Sequence, residues 1–258
     1  MSTVDTSGAP APAAMAGGPA MVGGPAMWRP VRGGNAFEIT VSRLAQAIRL
    51  GLVTAGERLP PERELADRLR VSRVTLRHAI AALREAGFLE SRRGRAGGTF
   101  VVYAVPPVAD RSGAATLARQ MGDDLPDALD FRRVLEPGAA ALAATRALSA
   151  GARAHLVACL AASRGRDPAV RRVNDSRLHL AIAAASGNAS LAAAIADVQL
   201  RLDGLLAAIP VLRRNLDHSD AQHRGIVDAI LAGDPDTARA TMEEHCDATA
   251  ELVRGLLR

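Results

Sequence analysis

Apolar positions recur at helical spacing through most of this sequence, and the interruptions between the stripes divide it. Val41, Leu44, Ala45, Ile48 and Leu52 form the first stripe, closed by Gly51 and Gly56. Residues 62–69 make a short second one with Leu65, Ala66 and Leu69 on one face. Arg70 and Val71 turn the chain, and Ser72 is placed to accept hydrogen bonds from the free amides of a following helix over 73–86, which Gly87 ends. Val74, Ala81 and Leu83 are expected among the inward residues of that helix, while Arg73, Thr75 and Arg77 cluster in its first turn and a half. Residues 88–102 alternate instead, with Gly94, Gly97 and Gly98 midway, as in a two-stranded ribbon whose glycine-rich tip carries Arg92, Arg93 and Arg95.

Two helices joined by a tight turn and followed by an arginine-bearing ribbon have the grammar of a winged helix-turn-helix. Such a unit offers polar side chains to a major groove and its wing to the adjacent minor groove. Two consecutive prolines then stiffen the stretch 104–109, which reads as a linker. Beyond it helices are expected over 127–148, with a kink near Glu136-Pro137-Gly138, and over 151–163, 168–186, 189–209, 220–232 and 234–257. Residues 112–122 read either way, so the second half holds six or seven helices. No strand pattern appears there, and an antiparallel bundle follows. The fold class is therefore mainly α: an N-terminal winged helix-turn-helix, then an all-α antiparallel helix bundle. The expected division is a low-complexity tail over 1–36, the winged domain over 37–104, a linker over 105–112 and the helical domain over 113–258.

Composition sharpens this picture. Hydrophobic residues make up 48% of the 258 positions but aromatics only 2%, so alanine and leucine must fill closely packed helices. Residues 37–104 hold twelve arginines against seven carboxylates, and this net +5 equals the formal excess of the whole chain. A phosphate-binding surface requires such a concentration of charge. Cys159 and Cys246 form no CxxC pair, which suits free thiols in a reducing cytoplasm. The tail is broken by Gly and Pro and lacks a basic start, unlike a signal peptide.

The second half carries its own chemistry. Asp175 and His179, four apart on a helix, leave one face and can reach one ion, while His223 and His245 lie on two later helices. Spacing alone leaves open whether these are ligands or ordinary surface and core histidines. Arg132 is open in the same way, because Glu136 at i,i+4 offers it an ordinary helix-surface pair of about 0.3–0.5 kcal/mol. Asn188 reads as a helix terminator, and His218 as a decoy or a group behind the ligands.

The segment LPPERELADRLRVSRVTLRHAIAALREAGFLESRRGRAGGTFVV, with its lead-in AIRLGLVTAGERLP, resembles the DNA-binding domain of the GntR family of bacterial transcriptional regulators. The resemblance implies DNA contacts by Arg63, Arg73, Thr75 and Arg77, a phosphate contact by Ser72, and a close approach of the wing glycine Gly98. It departs at Ala96 in the glycine run and at Leu69-Arg70, where leucine-glycine is usual, so Arg70 is expected in an unfavourable turn conformation. From about Asp127 onward, FRRVLEPGAAALAA, NDSRLHLAIAAASGN, HRGIVDAILAGD and MEEHCDAT resemble the ligand-binding FCD domain of the FadR subfamily. That likeness implies a divalent cation of the zinc, nickel or manganese class on Asp175, His179, His223 and His245, with Arg132 near the effector.

One aspartate and three neutral imidazoles leave open coordination positions, where a carboxylate could bind while an arginine takes its other oxygen. The expected function is a cytoplasmic DNA-binding transcriptional regulator, a repressor in sense. It would bind a palindromic double-stranded operator as a homodimer and answer to a small organic acid at the metal. No enzyme is expected. The competing reading is a metal-dependent hydrolase fused to a DNA-binding domain, against which stands the lack of a glutamate at HExxH spacing.

Overall fold

The computed structural model describes residues 36–94, 97–103, 111–165, 167–207 and 213–255. Most of the expected tail, most of the expected linker and the wing-tip Arg95 lie outside these residues. The elements in order are α1 (Ala36–Arg49), α2 (Glu62–Leu69), α3 (Arg73–Glu85), β1 (Leu89–Arg92), β2 (Gly98–Val101), α4 (Arg111–Met121), α5 (Asp124–Ala144), α6 (Ala150–Ala162), α7 (Pro168–Ala185), α8 (Ala189–Ala207), α9 (Arg213–Ala232) and α10 (Pro235–Gly255). The protein is thus mainly helical with one small antiparallel wing, and residues 112–121 fall in α4, the first of seven helices among the described residues of the second half.

In the winged unit, Leu44, Leu65, Leu69, Leu76, Ile80, Leu83, Leu89 and Val101 build one core. Ser72 caps α3 as expected, its Oγ accepting from the Thr75 amide at 2.9 Å. The buried face of α3, however, is Leu76, Ala79, Ile80 and Leu83. Val74 is 52% exposed and Ala81 only half-buried, which corrects the expected inward set. At 100° per residue Val74 stands about 200° from Leu76, so the face that buries Leu76 turns Val74 to solvent. Arg70 does sit in the left-handed region, at φ 52 and ψ 46, among the described residues the one non-glycine with positive φ. The wing pairs Leu89 with Val101 through to Arg92 with Gly98.

The second half packs around α5, which touches α7, α8, α9 and α10. Asn188 does more than end α7: its Oδ1 accepts from the amides of Ser190 and Leu191, both at 3.0 Å, and so caps α8. α5 continues unbroken through Pro137, where a kink is expected from sequence. The proline removes one bond, to the carbonyl of Arg133, a residue on the exposed side of the helix.

The two halves meet on α7 and α8. Gln46 Nε2 donates to Asp197 Oδ1 at 2.7 Å, Arg177 pairs with Glu57 at 3.8 Å, and the core of the winged unit runs on to Leu180, Ala183, Ile195 and Ala196. Gly51, at φ 70, lies so close to α7 that an added Cβ would come within 2.1 Å of Val173 Cγ1. Gly51→Ala is therefore expected to lower the unfolding free energy by about 1–3 kcal/mol, from the left-handed backbone and the overlap together. Chemical denaturation checks it, and an unchanged midpoint would contradict this packing.

Candidate metal centre and nucleic-acid interface

Because α5 packs one side against α7, α8, α9 and α10, its side chains at i and i+4 can be interior ones. Arg132 and Glu136 are each only 2% exposed, with Arg132 Nε 3.1 Å from Glu136 Oε1. This overturns the alternative of an ordinary surface pair. Glu136 also accepts from Gln199 Nε2 of α8 at 2.6 Å and from the Cys246 thiol at 3.6 Å, and its Oε2 lies 2.8 Å from His179 Nδ1. Burial alone would push the Glu136 carboxyl up, but the Arg132 guanidinium and then His179 hold it well below the usual range. Burial pushes the Cys246 thiol up, so it behaves as a neutral core group.

Packing of α7, α9 and α10 brings the three expected histidines together. The ring centroids of His179, His223 and His245 are 4.5 to 5.4 Å apart, and one nitrogen from each lies within 4.8 Å of the others. Asp175 joins at the rim, its Oδ1 3.4 Å from His223 Nε2. Burial lowers the basicity of His245 well below the ordinary value and that of His223 to about 4. Neutral imidazoles with available lone pairs are the form that binds metal. His245 Nδ1 lies 3.2 Å from Gln222 Oε1, and the tautomer that pairs with this acceptor carries its proton on Nδ1 and its lone pair on Nε2. Asp175 would be raised by burial, yet Arg172 foremost and then the histidines keep its carboxyl far below the usual range.

Several buried nitrogens here have no hydrogen-bond partner among the described residues: both nitrogens of His179 and of His223, and Nε and Nη1 of Arg132. The close approaches of His179 and Arg132 to Glu136 have the distance of ion pairs without the direction of hydrogen bonds. Unpaired buried polar atoms are rare and costly. A divalent cation would take the imidazole nitrogens and an anion the guanidinium, so the residue set fits both. His218, one candidate for a place behind the ligands, is exposed on α9. Sequence reasoning missed Arg172, Gln199 and Gln222, although the i,i+3 spacing of Arg172 and Asp175 was a usable signal.

On the winged unit, Arg63, Ser72, Arg73 and Arg77 are exposed, and Thr75 is half-buried with its hydroxyl 2.8 Å from that of Ser72. Neither Arg63, Arg73 nor Arg77 forms an ion pair among the described residues. Arg92 is instead engaged within the wing, 2.5 Å from Glu90 and stacked over Phe100. At Gly98, φ is 155 and a Cβ would reach to 2.6 Å from Arg58 Cδ, so only glycine lets the wing close on that side chain. Val74 shares the exposed side with Arg73 and Arg77.

Comparison with known proteins matches each half of the chain to a known family. Residues 38–101 match "Bacterial regulatory proteins, gntR family" and residues 127–248 match "FCD domain". The chain is 36% identical over 208 residues to the "Putative L-lactate dehydrogenase operon regulatory protein" of Escherichia coli K12, covering 74% of this chain and 76% of that one. It is 30% identical over 226 residues to the Glc operon transcriptional activator of the same organism, covering 81% and 85%. Among solved structures, E. coli McbR/YncC aligns at a TM-score of 0.51 and 20% identity over 88% of this chain and all of that one, a likeness of fold. The chain belongs to the GntR family of DNA-binding transcriptional regulators, and carries an FCD domain behind its winged helix-turn-helix.

Proposed function

We propose that this regulator is a cytoplasmic repressor that binds a two-fold symmetric operator as a homodimer, and that a small organic acid held at a divalent cation sets its affinity for DNA. The observation that carries this reading is the buried cluster of His179, His223 and His245 beside Arg132, with its unpartnered nitrogens. Asp175 and the three histidines would hold the cation. When bound, it would supply a Lewis-acidic anchor for a carboxylate, and Arg132 would take the acid's remaining oxygen by a charge-assisted hydrogen bond. A relative named for an L-lactate dehydrogenase operon fits an acid of this class.

Operator reading would fall to Arg73 and Arg77 at base edges, with Arg63, Ser72 and Thr75 at the backbone and the Gly98 amide close to the wing's contact. One recognition helix reads few base pairs, and a closed dimer doubles them. α7 supports a route between the sites, since Asp175 and His179 face the cluster while Val173 and Arg177 meet Gly51 and Glu57 of the winged unit. An acid that binds two arrangements of this contact unequally shifts DNA affinity by that difference. The hydrolase alternative finds no support, because Glu136 is tied to Arg132 and Gln199 and is too weak a base to activate water.

Selection of binding sites from random duplex DNA tests the reading. Enrichment of an inverted repeat is expected, and enrichment of none, or of single half-sites only, would contradict it. On the selected site, Arg77→Ala is expected to cost about 1–3 kcal/mol and to relax one base position. An equal loss on unrelated DNA would reduce Arg77 to a phosphate contact.

A further inference from the structure

Asp175 is the member of the ligand set that lies at the rim, and the groups behind it form a continuous chain. Arg172, three residues earlier on α7, donates from Nη1 to Asp175 Oδ2 at 2.5 Å. Its Nη2 donates to Ser176 Oγ at 2.8 Å and to Gln199 Oε1 at 3.0 Å. The other end of the same carboxamide donates from Nε2 to Glu136 Oε1 at 2.6 Å, and Glu136 Oε2 faces His179 Nδ1. Gln199 and Ser176 are buried, and Gln199 cannot be turned over, since its amide would then meet a guanidinium and its carbonyl a carboxylate.

We propose that Arg172 and Gln199 are positioning residues for the cation site. Arg172 holds Asp175 by Oδ2, which leaves Oδ1 as the oxygen turned to the histidines. Gln199 joins that clamp to Glu136, whose Oε2 stands 2.8 Å from His179 Nδ1 and leaves Nε2 as the nitrogen for an ion. One carboxamide on α8 thereby fixes both ligands contributed by α7. Without it a carboxylate rotates about χ2 and an imidazole can flip, and each must be ordered again when the ion binds. Arg172 is suited to this because its planar fork holds three oxygens at once, which a lysine cannot do. The inference rests on the metal reading above.

Cobalt(II), whose visible d–d bands report ligand geometry, is the probe, and Arg172→Lys and Gln199→Leu are the variants. Arg172→Lys keeps the charge and loses the fork, while Gln199→Leu breaks the chain without touching a charge. Each is expected to bind cobalt about 10–100-fold more weakly with altered d–d bands. The double variant should lose less than the two single losses together, because both act in one chain. Circular dichroism of the chelated proteins checks that the fold is kept. If Arg172→Lys binds cobalt with wild-type affinity and bands, the inference is overturned and the metal reading stands. If the unaltered protein binds no cobalt, both fall.

Discussion

Glu136→Leu is expected to lower the unfolding free energy of the helical domain by about 3–5 kcal/mol, because it leaves the Arg132 guanidinium buried without a counter-ion. Both side chains are 2% exposed, and Arg132 is held above its ordinary pKa by Glu136 against the opposing effect of burial. An exposed i,i+4 pair would cost about a tenth of that. Arg132→Met combined with Glu136→Leu is expected to recover most of the loss, since removing both charges removes the stranded one. The double variant would nonetheless lose any response to a carboxylate. Equilibrium denaturation of the two variants checks this, and a single-variant cost below about 1 kcal/mol would mean the pair is hydrated.

His223→Ala is expected to weaken the cation by a factor of about a hundred or more. Structural sites of four ligands are worth about 10–16 kcal/mol, so each ligand carries roughly 2.5–4 kcal/mol. His223 is buried on α9, away from the winged unit, and binding to unrelated DNA should be unchanged. Metal content after dialysis, with DNA binding measured in parallel, checks both halves. Full occupancy in the variant would remove His223 from the ligand set.

What was legible in the sequence was local chemistry. Ser72, Gly87 and the wing glycines announce caps and turns within a few residues of themselves, so α2, α3 and the ribbon are readable without knowing the rest of the chain. The i,i+4 spacing of Asp175 and His179 is readable in the same way, and the likeness to known regulators added His223 and His245. What was not legible was which faces of the helices pack inward. α5 carries alanines on its inner side and Phe131 and Val134 on its exposed one, so no apolar stripe marks the interior face, and Arg132 and Glu136 look like a surface pair. Gln199 is a polar residue whose partners, Arg172 and Glu136, both lie on other helices, so nothing near it in the sequence marks its place. Val74 misled for the opposite reason. An apolar side chain on a recognition helix is naturally taken as core, whereas α3 leaves it exposed beside Arg73 and Arg77.

The central claim, a small acid held at a metal in the helical domain, is tested most directly by thermal unfolding of the metal-loaded protein against a panel of small carboxylic acids, repeated after chelation. An acid present at a hundred times its dissociation constant adds about 2.7 kcal/mol to the folded state that binds it. The account predicts that at least one small carboxylic acid raises the midpoint while metal is present and has no effect once it is removed. Midpoints that ignore both the acids and the chelator would contradict it, and would leave His179, His223 and His245 as a buried structural cluster.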